Sequence, residues 1–370
     1  MQTNMREQKG REIYEMSGQI TRVDDHTYWV VSQNGNGIYD VISTELGWLC
    51  SCPDHVHRGV KCKHIWAVDF STTFRKEVQK VIRPITSGFC PSCNSKEIVK
   101  NEVRHNKYGD IQRYLCKVCG KRFSLNLGFE SMRTTPQAIT SAMQLYFTGE
   151  SLRNVQKFLK LQGVNVSHVA IYKWIGKYTK VMQNYLEQII PKVSDTWRAD
   201  EIYVKFKGNI KYVFALMDDE TRFWIAQEVA ESKYAHDARN LFRMGKGLMQ
   251  KRPKVLITDG LQAYHEAFKK EFWTFKGPRT RHINTIRLQG DMNNNKMERL
   301  NGEIRDREKV MRGLKKKDTP ILKGYQLYHN YVRPHEALDG KTPAEKAGIN
   351  IKGQNKWITI IQNANLSSKY

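Results

Sequence analysis

All seven cysteines of this 370-residue chain fall between positions 50 and 119, and they fall in ligand spacing. Cys90-Pro-Ser-Cys93 and Cys116-Lys-Val-Cys119-Gly120 make a doubled C-x-x-C. Each pair bends into a knuckle, so two thiolates from each can close a tetrahedron on Zn2+. Four protein ligands leave no open coordination position, which predicts a structural site. Ile98–Tyr114, with its Gly109-Asp110 turn, is expected to be the hairpin between the knuckles. Upstream, Cys50-Ser-Cys52 and Cys62-Lys-His64 read C-x-C…C-x-H, a second four-ligand set. His55 and His57 lie between these ligands and are expected to be solvated. An odd cysteine count and a polar Met1–Arg11 segment argue against a secreted disulfide framework and for reduced thiolates in a cytosol.

The pattern changes along the chain. Arg11–Leu49 reads as short strands, with Thr27–Val31 and Ile38–Thr44 flanking an Asn34-Gly35-Asn36-Gly37 turn. Lys63–Val81 turns helical, and Pro84 and Gly88 mark a linker. From Thr134 to about Tyr185 the period is helix, helix, turn, helix, with Thr135, Ser151 and Ser167 as N-caps. After Pro191 come three strands, Trp197–Phe206, Lys211–Met217 and Phe223–Val229, broken by Lys207-Gly208-Asn209 and Asp218-Asp219-Glu220. Helix Ala235–Met249, strand Lys254–Thr258, a further helix, a strand near His282–Thr285 and a charged helix from about Asn294 complete the order of a ribonuclease H-like α/β domain.

With 61 Lys and Arg against 37 Asp and Glu, the net charge is +24. A polyanion is the expected partner, and DNA fits best because no apolar run is long enough to span a membrane. The third helix of the 131–190 region interleaves Tyr172, Lys173, Trp174, Lys177, Tyr178 and Lys180. That composition suits a recognition helix with its cations on phosphates, so Lys173, Lys177 and Lys180 are candidate DNA contacts. Arg333 in Arg333-Pro-His335 is another, and Arg305–Lys317 is a basic run suited to phosphates.

Three acidic residues stand where such a fold puts chemistry. Asp200 lies mid-strand, Asp259 ends a strand before Gly260, and Glu298 opens a helix. A buried carboxylate is costly unless it meets a cation, and carboxylates from separate elements can converge on two Mg2+ ions. Glu201 alternates to the other face of its strand and is expected to be a surface or salt-bridge residue. Asp218 and Asp219 are expected to form a turn.

Here the chain resembles a known family. Trp197–Gly208, Ile257–Tyr264, Asn293–Leu314 and Tyr331–Gly348 are similar to the D,D,E-class transposases of prokaryotic insertion sequences, in the retroviral-integrase superfamily. The resemblance covers about Val193–Ile349. It implies that Asp200, Asp259 and Glu298 form the metal-binding triad. Arg305, seven residues after Glu298 and two turns on, matches the family's basic residue beside the scissile phosphate. The Asp259–Glu298 interval is a few residues longer than is commonest in the class, the slack lying near Trp273–Arg281. The Cys50–His64 set resembles the SWIM-type zinc finger, which most close relatives would lack.

The expected architecture is therefore multidomain α+β: a SWIM-type finger at 1–83, a zinc ribbon at 84–130, a helix-turn-helix region at 131–190, a ribonuclease H-like D,D,E domain at 191–315, and a basic, helical extension at 316–370. Its cofactors would be two structural Zn2+ and a two-metal Mg2+ site. The implied function is transposition through Mg2+-dependent cleavage at element ends and strand transfer, by a homo-oligomer in a prokaryotic cytoplasm, nucleoid-associated when bound. The rival is a non-catalytic DNA-binding regulator derived from such an enzyme, which has no need of three converging carboxylates.

Overall fold

The computed structural model describes all residues except 1–4, 17–18, 24–26, 34–36, 45–46, 78–80, 107–108, 131, 207–208, 274–279, 285–293, 312–318 and 368–370. Most of the Asn34–Gly37 turn, the Lys207-Gly208 turn, most of the Trp273–Arg281 loop and the 312–317 part of the basic run lie outside the described residues.

The N-terminal unit opens with a helix, α1 (Met5–Glu15), where the sequence pattern had suggested strands from Arg11. The reason is tertiary. A Cβ on Gly10 would come within 2.5 Å of the Trp66 Cβ, so the helix lies flush on a later one and buries Ile13 completely. Strands β1 (Ile20–Arg22), β2 (Thr27–Val31), β3 (Ile38–Thr44) and β4 (Gly47–Cys50) then form an antiparallel meander. Tyr28 and Val30 point inward while Trp29 and Val31 point out, as strand alternation dictates. Helices α2 (Pro53–Arg58) and α3 (Lys63–Glu77) close the unit, whose small core joins Ile13, Val30, Val41, Ile65 and Val68 to the first three cysteines.

A short strand β5 (Val81–Ile82) leads into a three-stranded antiparallel sheet, β6 (Ile98–Asn106), β7 (Gly109–Cys116) and β8 (Arg122–Ser124). Helices α4 (Pro136–Thr148), α5 (Leu152–Leu161) and α6 (His168–Leu186) follow. Thr135, Ser151 and Ser167 each accept a hydrogen bond from the third residue beyond, the caps expected from the sequence.

The central sheet holds β9 (Thr196–Phe206), β10 (Asn209–Asp218), β11 (Trp224–Ala230), β12 (Val255–Ile257) and β13 (Arg281–Ile283), in the order β11-β10-β9-β12-β13. The first three strands are antiparallel, and β12 pairs parallel with both β9 and β13. Helices α7 (Ala235–Met249) and α8 (Gln262–Glu271) pack together, α7 also lying on β10 and β11. Helix α9 (Asn295–Met311) crosses β9 with Met297, Leu300 and Ile304 buried at helical spacing.

Within the expected C-terminal extension, residues 319–367 are woven into this body. Helix α10 (Pro320–Leu327) packs on α6 so closely that a Cβ on Gly324 would lie 2.8 Å from Thr179 Oγ1. After a wide helical turn at Tyr328–Val332 come α11 (Pro343–Lys346), β14 (Asn350–Ile351) and α12 (Lys356–Ser367). Trp357, Ile360 and Ile361 of α12 share one continuous core with α4, α6 and the central sheet. Strand β14 pairs with β5, and Asn363 and Gln362 donate to the carbonyls of Arg83 and Leu125. The expected linker is thus pinned by the C-terminal helix. No helix among the described residues is long and apolar enough to cross a membrane.

Candidate active site and metal clusters

Two cysteine-rich clusters lie in the N-terminal third. Cys50, Cys52, Cys62 and His64 are all buried, and their ligand atoms lie within 4.8 Å of one another. His64 Nδ1 is 3.9 Å from Cys50 Sγ and 4.0 Å from Cys62 Sγ. The hairpin of β3 and β4 supplies Cys50, and the start of α3 supplies His64. In the second cluster Cys90 and Cys119 are 3.6 Å apart, as are Cys93 and Cys116. Ligands at tetrahedral angles around a metal 2.0–2.3 Å away are separated by ~3.3–3.8 Å; the second set falls within that range and the first is a little wider.

The knuckles are built by the backbone. Asn94 (φ 57°) and Gly120 (φ 69°) follow the second cysteine of each pair in the left-handed region, and their N–H groups donate back to Cys90 O and Cys116 O. One thiol in each cluster is pulled below the ordinary thiol range. The Cys50 hydrogen bond draws Cys62 to about 3, and the Cys119 and Val118 N–H groups draw Cys116 to about 6. His55 does not join its cluster: its Nδ1 donates to Val60 O, while His57 is exposed.

The carboxylate site forms where β9 and β12 run side by side. Ile257 pairs with Arg198, which brings Asp259, two residues past the pairing, beside Asp200. Asp200, Glu201 and Asp259 each place an oxygen within 4.8 Å of the others. Asp200 is held by the Glu201 N–H (3.0 Å) and by the Asn301 amide (2.9 Å), and Asp259 accepts from the Leu261 N–H. Burial, then the charges of Glu201, Asp259 and Glu298, push the Asp200 carboxyl up to about 7. Burial and Glu201 also raise Asp259. Among the described residues no ion pair engages either aspartate. Clustered, mutually destabilising carboxylates of this kind fit a hard divalent cation.

Glu298 is not drawn into that cluster. It sits on the exposed side of α9, near enough to raise Asp200 but outside the 4.8 Å group. Asn301, one turn on and nearly buried, takes the place facing Asp200. Glu201 does face away from α9, as alternation requires, yet it is no surface residue. Its side chain is 5 % exposed and pairs with Lys233 at 2.8 Å. Two ion-paired clamps hold α9 in register. Asp219 receives Arg198 from β9 and Lys296 (2.8 Å) from the start of α9. Glu303 receives Arg333 at 2.6 Å and is surrounded by Tyr325 and His329. Burial opposes ionisation there, but His329 and Arg333 hold the Glu303 carboxyl down at about 2.

The other expected site residues fall as follows. Arg305 is exposed on α9 with its guanidinium 5.2 Å from the Tyr203 ring centroid. Lys173, Lys177 and Lys180 lie together on the open face of α6, with Tyr172 also exposed, while Trp174 and Tyr178 are core residues. Arg333, expected on DNA, is half-buried and pairs with Glu303. His335 is buried and donates to His329 O, and burial pulls it to about 4. His282 stacks on Phe268 and is likewise pulled to about 4. Asp218 accepts from the N–H and hydroxyl groups of Ser194 and Thr221, the bonds of a turn residue. The sequence reading overlooked Asn301 and Lys233. The i+3 spacing from Glu298 was a usable signal for Asn301, whereas nothing in the chain's pattern marks Lys233.

Residues 194–335, which contain all three carboxylates, match the family model of a DDE domain of the IS240 type. The transposase for insertion sequence-like element IS431mec of Staphylococcus aureus is 30% identical over 130 residues, covering 34% of this chain and 55% of that protein. The transposase of IS257 in transposon Tn4003, also from Staphylococcus aureus, is 29% identical over 153 residues, 40% of this chain and 66% of its own length. An uncharacterised protein in transposable element ISH50 of Halobacterium salinarum is 24% identical over 278 residues, 66% of this chain and 86% of that protein. The chain thus spans between half and two thirds of the staphylococcal transposases it matches. Among solved structures, the HTLV-2 integrase catalytic core domain in complex with magnesium aligns at TM-score 0.32 and 17% identity, over 43% of this chain and 97% of that one.

Proposed function

We propose that this chain is a DNA transposase that cleaves at element ends and joins the freed 3′-OH to target DNA. The observation that carries the reading is the meeting of Asp200 and Asp259 on adjacent parallel strands, inside the segment that matches a DDE domain, with Glu298 on the helix packed across them. The strand order, three antiparallel strands with two parallel ones added beside the first, supports a ribonuclease H-like core.

Asp200, Asp259 and Glu298 would hold two Mg2+ ions, which when bound supply Lewis acidity at the attacking and leaving oxygens. Asn301 fixes the Asp200 carboxylate, and the Asp219 and Glu303 clamps fix the helix that carries Glu298. Arg305, exposed two turns beyond Glu298, is placed to meet the phosphate under attack. In the first step water attacks phosphorus, the P–O3′ bond breaks, and the 3′ oxygen leaves as a hydroxyl. In the second that hydroxyl attacks a target phosphate, whose own 3′ oxygen departs.

The eight Cys and His ligands would bind two structural Zn2+, as a SWIM-type finger and a zinc ribbon. Lys173, Lys177 and Lys180 would carry DNA backbone contacts of a helix-turn-helix. Pairing of two element ends calls for a homo-oligomer, and the setting is a prokaryotic cytoplasm. A non-catalytic regulator would need the zinc and helical parts but not the carboxylates.

The test is a strand-transfer assay in Mg2+ and Mn2+ with end binding measured in parallel. Asp200→Asn, Asp259→Asn and Glu298→Gln each lose on the order of a thousandfold or more in transfer while binding DNA as the parent does. Robust transfer by any of the three would reject the assignment.

A further inference from the structure

The carboxylate cluster contains a cation that its motif does not announce. Lys233 lies in the loop between β11 and α7, within Ser232-Lys233-Tyr234. Its Nζ sits 2.8 Å from Glu201 Oε1 and 5.1 Å from the Tyr212 ring centroid. Glu201 is almost wholly buried, with the Tyr264 side chain against its carboxylate. A carboxylate this buried and this close to two others is costly without a counter-charge. Lys233 is that counter-charge, and it also acts favourably on Asp259.

We propose that Lys233 is a positioning residue of the metal site: by pairing with Glu201 it sets the charge that Asp200 and Asp259 present to a divalent cation. The inference rests on the metal-dependent reading above. With all three carboxylates ionised, as a bound cation requires, one ammonium leaves −3 + 1 = −2 in the cluster. That matches one divalent ion without over-binding it. It also frees Glu201 from acting as a ligand, leaving coordination to Asp200, Asp259 and groups that arrive from α9. The ammonium is the part of the pair that meets solvent, since the Lys233 side chain is 41 % exposed against 5 % for Glu201.

Charge arithmetic gives the test. Mn2+ is titrated calorimetrically into the full-length, zinc-loaded protein without DNA. Removing the ammonium in Lys233→Gln makes the cluster more negative and tightens Mn2+ binding roughly five- to tenfold. Glu201→Gln weakens it by a similar factor, since the ammonium then stands unopposed. Lys233→Arg and the double variant Lys233→Gln/Glu201→Gln return close to the parent value. An unchanged Kd in Lys233→Gln overturns the proposal and leaves Lys233 a strut. A double variant as weak as Glu201→Gln overturns it too, by making Glu201 a ligand. Should Glu201→Gln fail to fold, Lys233→Gln against Lys233→Arg still decides. Asp200→Asn separates the two levels: Mn2+ binding that survives it sinks the metal site itself, whereas its loss beside an inert Lys233→Gln sinks only this inference.

Discussion

The cysteine clusters and the carboxylate cluster are built on opposite plans. Each cysteine set is complete in one local stretch of chain, with four donors within 4.8 Å of one another and, in the second set, backbone turns that dictate where they point. The carboxylate set is assembled from two strands of the central sheet, leaves Glu298 outside it, and sets mutually repelling charges around Asp200. A closed set stores folding energy in the metal. An open set stores unfavourable electrostatics that a cation and a substrate relieve. The difference teaches that metal should be needed for folding at one end of the molecule and for chemistry at the other.

The sharpest way to break that contrast is to remove zinc. Structural zinc in small modules is worth about 10–16 kcal/mol at neutral pH. Strong chelation, or Cys62→Ser, should therefore unfold the α1–α3 unit, whose core is small and built partly on its cysteines. Limited proteolysis should then cut within 5–77 while the central sheet resists. Elemental analysis should find two zinc per chain, and zinc-free protein of full activity would refute the plan.

The next effect is on the open site, and it separates two of its members. Without DNA, Asp259→Asn should lower Mn2+ affinity at least about tenfold, because it deletes a charge from the cluster. Glu298→Gln, outside the cluster, should change it less than about threefold. Both should abolish strand transfer. Equal losses of Mn2+ affinity would mean that α9 closes on the site before DNA arrives.

A smaller effect is expected on DNA affinity. Lys173→Ala, Lys177→Ala and Lys180→Ala should each weaken binding by a factor of several and reduce the slope of log affinity against log salt by about one. Arg333→Ala should leave that slope alone, since its guanidinium is engaged with Glu303. A salt slope unaffected by any of the lysines would remove α6 from the interface.

The smallest is a pH effect. The folded Glu303 carboxyl, at about 2, lies below its ordinary 4.5. Its stabilisation is therefore fully present above about pH 4.5 and is lost as pH falls toward about 2. The Tm of the parent should decline through that window more steeply than that of Glu303→Gln. Identical acid profiles would mean that the clamp does not hold α9.

How much of this was legible follows from the range of the interactions. Cysteine spacing, N-cap residues and strand alternation are local, and each appears where the chain's own pattern put it: the two ligand clusters, Thr135, Ser151 and Ser167, and the strands and helices around Asp200. A motif gave Asp200, Asp259 and Glu298 as a set, but not their distances.

What only the tertiary structure decided depends on partners far apart in sequence. Helix α1 forms because Gly10 meets Trp66. Helix α12 is a core element because Trp357 and Ile361 find α4, α6 and the sheet. Arg333 pairs with Glu303, thirty residues before it, and Lys233 reaches Glu201 across a sheet. A charge's role is fixed by what neutralises it, and in a chain of +24 the sequence offers many candidates and names none. Local chemistry wrote the parts and their ligands; long-range packing chose which cations serve the fold and which stay open to a polyanion.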